Sequence, residues 1–213
     1  MKQLLLQVLM ISSLTILITS YNNQKSENKD EAKHVFYKKD TSQIAAENVK
    51  QKAPIINITD TVTVPSLVLV IKDSAINSER MGEKMSKIYS KIIPEIAETN
   101  KLEIEGPKMA WYKKNTAPFF FEAGLPVNKR PKGKLPKNAF IREIKSDSCV
   151  VAHYFGPYDL TYRAYEAINE WMKDYGKKQR GSAYEIYIGE LFDKDGKKND
   201  PYRVQTDIVF PHK

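Results

Sequence analysis

The chain is 213 residues long, 41% hydrophobic and 10% aromatic, and carries 34 Lys and Arg against 26 Asp and Glu for a formal net charge of +8. That length and apolar content suffice for one ordinary domain core, and a single cysteine, Cys149, excludes an internal disulfide. The three histidines, His34, His153 and His212, lie far apart with none of the paired spacings of a zinc site, so no metal is expected.

At the N-terminus, Lys2 supplies a positive start and Leu4–Ile18 is apolar apart from Gln7 and a few Ser and Thr. Residues 1–20 therefore read as a signal peptide or an uncleaved N-terminal anchor. The expected location is extracytoplasmic, periplasmic or secreted, with membrane association possible through this segment alone. Ile18-Thr19-Ser20 resembles the start of a bacterial lipoprotein box, but Tyr21 stands where the lipid-bearing cysteine belongs, so no lipid anchor is expected. Residues 21–54 are polar and charged with little apolar periodicity, too little to offset the entropy of ordering them, and read as a disordered leader. Residues 55–213 are left as one domain.

Within it the pattern is strand, helix, strand, strand, written twice. The first copy opens with the β-branched runs Thr61–Val64 and Leu67–Ile71, split by Pro65, which belongs at an edge or bulge. A helix follows, with Met81, Met85, Ile88, Ile92 and Ile96 as one apolar stripe, Ser78 as its N-cap and Pro94 disturbing its last turn. Two strands come next, Gly106–Tyr112 and Phe119–Val127. The second copy has strands Ala139–Ile144 and Ser148–Phe155, a helix from Asp159 to Tyr175, then Gly181–Ile188 and Tyr202–Phe210. That helix carries Leu160, Ala164, Ile168, Trp171, Met172 and Tyr175 on one face and stops at Gly176. Tyr165 and Trp171 read as core. The basic run Lys129–Lys137 and the lysines around Asp193–Lys198 read as exposed loops, and no nucleic-acid-binding motif is visible.

Superposing Gly106 on Gly181 aligns Tyr112 with Tyr187 and Ala110 with Glu185. Alternation along a strand puts Glu185 and Tyr187 on one face and Tyr184 and Ile186 on the other. If the Glu185 face is enclosed, the carboxylate must find a partner, raise its pKa or await a cationic ligand; on a solvated face it does none of these. Two units with helices on one side can leave a groove on the other, lined by Tyr112, Tyr187 and Glu185, while alternation turns Trp111 towards the helices.

Several phrases carry a family resemblance. Gly156-Pro157-Tyr158, a helix with Ala164-Tyr165 and Trp171, Tyr184-Glu185-Ile186-Tyr187 and a closing Thr206–Pro211 resemble the gyrase-inhibitor-like (GyrI-like) effector-binding domains, as do Gly106–Tyr112 and Glu122–Val127 in the first copy. The resemblance covers about residues 61–211. It implies an α+β fold of two duplicated β-α-β-β units related by a pseudo-two-fold, an antiparallel sheet with two helices on one face, and a central cleft for small hydrophobic or cationic molecules. It makes Glu185, Tyr187, Tyr112, Trp111, Phe121 and Tyr154 the ligand-binding candidates, with no cofactor and no nucleic-acid partner. In stand-alone relatives it also implies hydrolysis of cyclopropane-type electrophiles, for which Glu185 and Tyr187 would be catalytic. The related SOUL proteins add haem binding as a weaker alternative. Where the pattern has a histidine two residues before Gly-Pro-Tyr, this chain has Tyr154, with His153 one step earlier and so on the opposite face.

Overall fold

The computed structural model describes residues 52–114, 116–190, 195 and 197–213. These all fall in one compact unit, Val35–Lys213. The expected export segment, and the polar leader except for residues 52–54, lie outside the described residues.

Eight strands form one antiparallel sheet: β1 (Ile55–Val62), β2 (Ser66–Ala75), β3 (Lys108–Lys114), β4 (Phe119–Val127), β5 (Ala139–Ile144), β6 (Ser148–Phe155), β7 (Tyr184–Tyr187) and β8 (Gln205–Pro211). Their spatial order is β1-β6-β8-β7-β3-β4-β2-β5. Exchanging each strand for its counterpart in the other copy (β1 with β5, β2 with β6, β3 with β7, β4 with β8) reverses this order without changing it. The chain is therefore a duplicated α+β fold with a pseudo-two-fold axis. At the centre, Ala110 pairs directly with Glu185, the position equivalent to it. The axis passes between them.

Each opening strand is exchanged. β1 pairs with β6 of the second copy, and β5 pairs with β2 of the first. Both pairings keep one register, from Ile55 opposite Phe155 to Ile71 opposite Ala139, and the Thr63 N–H to Asp147 carbonyl bond (2.9 Å) carries the ladder on past Val62. Pro65, which cannot donate to a ladder, sits in the gap between β1 and β2.

The first helical run is α1 (Ser78–Lys87), a π-helical turn (Ile88–Ile92) and α2 (Ile93–Thr99). Asn77, not Ser78, is the N-cap, its side-chain oxygen accepting from the Arg80 N–H at 2.8 Å. In an α-helix the Pro94 ring would collide with the Ser90 carbonyl. The wider π turn, closed by the Ile93 N–H on the Ile88 carbonyl, avoids this and adds one residue to the turn. The apolar stripe accordingly moves on by one. Met81, Met85 and Ile88 are buried as the spacing predicts, but Tyr89, Ile93 and Ala97 follow, leaving Ile92 and Ile96 only partly buried. Full burial of Ile88 and Ile93 contributes about 1.5–3 kcal/mol each.

The second helix, α3 (Tyr162–Asp174), follows a 3-10 turn at Tyr158–Leu160 and ends before Gly176, whose φ of +62° suits glycine. It buries Ala164, Ile168 and Met172. Tyr175, expected on the buried face, is instead exposed and stacks on Trp171 at 4.5 Å. The segment at Tyr202, read as the start of a strand, is a 3-10 turn (Pro201–Arg203) before β8.

Both helices pack on one sheet face, over Leu69, Ile71, Phe121 and Leu125 in one half and Val150, Ala152, Ile208 and Phe210 in the other. The opposite face also buries apolar side chains. Val68, Val70, Met109, Trp111, Tyr184 and Val209 form a third cluster there, which Phe140 and Ile144 of β5 complete. At its centre the face expected to hold the groove is therefore occupied by this apolar cluster.

Candidate functional site

Alternation along β7 turns Glu185 and Tyr187 to the helix-bearing face, at the pseudo-two-fold, where Glu185 pairs with Ala110. The residues predicted to line a cleft on the opposite face are thus on this one. Tyr112 arrives from β3 as the equivalent of Tyr187. Tyr158 comes from the 3-10 turn and Tyr165 from α3.

Glu185 is 2% exposed, and its oxygens are shared unequally. Oε1 accepts from the Tyr165 hydroxyl at 2.8 Å; Oε2 accepts from Tyr158 at 2.9 Å and Tyr187 at 2.8 Å. The Tyr112 hydroxyl lies 2.8 Å from that of Tyr158 and 2.7 Å from that of Tyr187. With three hydroxyls donating to the carboxylate, Tyr112 is left to donate within the triangle, and its oxygen sits 3.7 Å from Met85 Sδ on α1. Among the described residues no Lys, Arg or His forms an ion pair with Glu185.

Burial raises the Glu185 pKa, opposed by the hydrogen bonds from Tyr165, Tyr187 and Tyr158. Burial, reinforced by the nearby carboxylate, raises Tyr158, Tyr165 and Tyr187 well above the usual phenol value, so all three stay protonated donors. The result is an anionic or proton-holding centre walled by aromatic rings. Unaided, a buried carboxylate without a counter-charge costs several kcal/mol. A cation entering beside it would offset that cost, and the ring faces would add cation–π attraction.

Local sequence explains how the wall is held. A Cβ on Gly156 would lie 2.9 Å from the Tyr154 hydroxyl and 2.8 Å from Pro54 Cβ, so only glycine fits the turn leading to Tyr158. The Tyr154 hydroxyl donates to the Pro157 carbonyl, and Thr161 Oγ1 donates to the Tyr158 carbonyl at 2.8 Å, fixing that turn from both sides.

Of the six residues proposed from sequence, Glu185, Tyr187 and Tyr112 are brought together. Phe121 shares their face, opposite Tyr112 in the β3–β4 ladder, but is buried in core. Tyr154 lies behind the Tyr158 turn within the α3 core and touches Glu185 only through that turn. Trp111 points the other way, into the third cluster, with its ring 5.4 Å from that of Tyr184. His153 is also on that side, its Nδ1 2.7 Å from Asp207 Oδ1. Tyr158 and Tyr165 were missed as site residues. The signal for Tyr165 was its place beside Ala164 on the buried stripe, where a hydroxyl must find an acceptor and Glu185 is the acid at hand.

No family model matches the chain, and no curated protein is similar to it in sequence. Solved structures do match. The C-terminal domain of EcmrR is 21% identical, covers 75% of this chain and 98% of its own, and superposes with a TM-score of 0.62. EcmrR in a DNA complex within an open transcription assembly matches at 21% identity and a TM-score of 0.60, over 74% of this chain and 57% of that one. This chain therefore spans little more than half of the longer EcmrR chain. SAV2435 bound to tetraphenylphosphonium matches at 13% identity and a TM-score of 0.41, over 75% and 94% of the two chains, a likeness too distant to bear on what this chain binds.

Proposed function

From the GyrI-like fold that this sheet shares with the EcmrR C-terminal domain, we propose that the chain is an exported small-molecule-binding domain that holds hydrophobic cations between its two helical layers. The observation that carries this reading is Glu185, a buried carboxylate met by tyrosine hydroxyls and by no cation among the described residues. Tyr112, Tyr158, Tyr165 and Tyr187 are all only partly buried, so the ring of phenols is the route by which a flat cation reaches the acid. Export belongs to the same proposal and rests on the composition of residues 1–20.

The test is calorimetric titration with tetraphenylphosphonium and, as the uncharged control, triphenylphosphine oxide. A cation centre about 5 Å from the carboxylate at an effective dielectric near 20 gains about 3 kcal/mol, of which desolvation takes back a part. Glu185→Gln should therefore weaken phosphonium binding by about a hundredfold and leave the oxide unaffected. Equal phosphonium affinity in wild type and Glu185→Gln rejects the reading. Affinity should also rise with pH through the raised Glu185 pKa, because the proton and the cation compete for one carboxylate.

A further inference from the structure

The sheet face turned away from the helices holds two pockets of about 400 Å³ each. The pseudo-two-fold exchanges them. Every residue lining the first has its symmetry counterpart lining the second, so they are two copies of one cleft in a duplicated fold. Their chemistry has diverged. The floor is Trp111 and Tyr184 in the first pocket where the second has Ile186 and Met109. The walls of the first carry Arg142, Lys145 and Arg180; the matching positions of the second are Thr61, Val64 and Glu105. One copy is thus aromatic and basic at these positions, and the other is largely aliphatic, with the acids Glu105 and Asp207 in its lining.

We propose that the aromatic, basic copy is a second binding site, for a small flat anion such as an aromatic carboxylate. Arg142 is its centre. The guanidinium lies 4.3 Å over the Trp111 ring, and one Nη2 donates to Glu122, a buried carboxylate also approached by Lys113 at 3.7 Å and Lys72 at 4.0 Å. Among the described residues the other N–H groups of Arg142 have no protein partner, although its side chain is only 23% exposed. A guanidinium held between the Trp111 ring and that of Phe140, 5.6 Å away, with donors to spare can take a carboxylate and bring the ring attached to it against an aromatic wall. Lys145 and Arg180 at the rim add charge. Of the two acids bordering the pocket, Glu143 is taken up by Arg130 from outside it at 2.6 Å, while Asp147, 3.4 Å from Arg180, offsets part of that charge, so a smaller basic surplus remains. The volume admits a bicyclic ligand. This site is separated from Glu185 by the sheet itself, and its charge selects the opposite class of ligand.

The probe is 1-naphthoate, with 1-naphthylmethanol as its neutral analogue and inorganic phosphate as an anion without a ring. Calorimetry should show 1-naphthoate binding at least about tenfold more tightly than either control. The double variant Lys145→Gln/Arg180→Gln, which alters only exposed charges, should weaken it by about tenfold. Thr61→Val, in the twin pocket, and Glu185→Gln should leave it unchanged. Of the two indole N–H resonances in the NMR spectrum, assigned with Trp171→Phe, that of Trp111 should move and that of Trp171 stay. Equal binding of 1-naphthylmethanol, loss of binding in Glu185→Gln with retention in the double variant, no binding of 1-naphthoate, or a shift confined to Trp171 overturns the proposal.

Discussion

Substituting Tyr165 by Phe removes one hydroxyl and nothing else, since the ring keeps its edge contact with Phe210 at 5.7 Å. The consequence depends on how the Glu185 oxygens are shared. Among the described residues Oε1 has Tyr165 as its one donor, whereas Oε2 has both Tyr158 and Tyr187. Tyr165→Phe thus strands half of a buried carboxylate, a loss of about 1.5–3 kcal/mol for a hydrogen bond to a charged group. For a chain of this size that lowers the melting temperature by about 4–9 °C. Tyr158→Phe leaves Oε2 with Tyr187 and lets Tyr112 donate to Tyr187, so its cost stays near 1 kcal/mol or below. The difference should also depend on pH. Tyr165 favours the ionised acid, so its removal raises the Glu185 pKa further, and the penalty grows as pH rises through that pKa and shrinks below it, where the acid is neutral. Urea denaturation of wild type and both variants at several pH values measures this. A Tyr165→Phe penalty that is flat with pH, or equal to that of Tyr158→Phe, would refute the assigned geometry.

Two further outcomes follow from the same structure. Because folding raises the Glu185 pKa, the folded state holds a proton that the unfolded chain has released, so this group's contribution to stability is greatest at or below its ordinary 4.5 and falls as pH rises through the folded value. In Glu185→Gln that downward slope should vanish from the stability–pH curve, and a slope retained in full would place its origin elsewhere. Gly124→Ala should destabilise by about 1–3 kcal/mol, since the new Cβ would lie 2.7 Å from Val68 Cγ1 and 3.0 Å from the Leu69 carbonyl; an unchanged denaturation midpoint would contradict that packing.

Much of this molecule could be read from its residues, for reasons that are local. The Gly106–Gly181 alignment rests on strand alternation, which is short-range, and it placed Tyr112, Tyr187 and Glu185 on one face as the structure has them. It could not say which face the helices cover, because that depends on the handedness of the connections. The π turn was hidden for a different reason: Pro94 announced a disturbance, but not that the helix would absorb it by widening and so bury Tyr89 in place of Ile92. The exchange of β1 and β5 was illegible for a third. Thr61–Val64 and Leu67–Ile71 look like one strand with a flaw at Pro65, and only the long-range register with residues 139–155 shows that the flaw is a crossing from one half-sheet to the other.

That crossing means that a lone copy of the repeat would leave its opening strand without a partner, and two identical copies would have to lend each other that strand to make the sheet. In such a symmetric pair whatever residue stands at the central position faces itself, with Cα atoms about 5 Å apart across the antiparallel ladder. An acid there would meet a second acid, and the two could not both ionise in a dry interior. Fusing the copies into one chain lifts that constraint. The centre can then hold Glu185 against Ala110, a single charge opposite the smallest chiral side chain, in a site that no homodimer of the repeat could assemble.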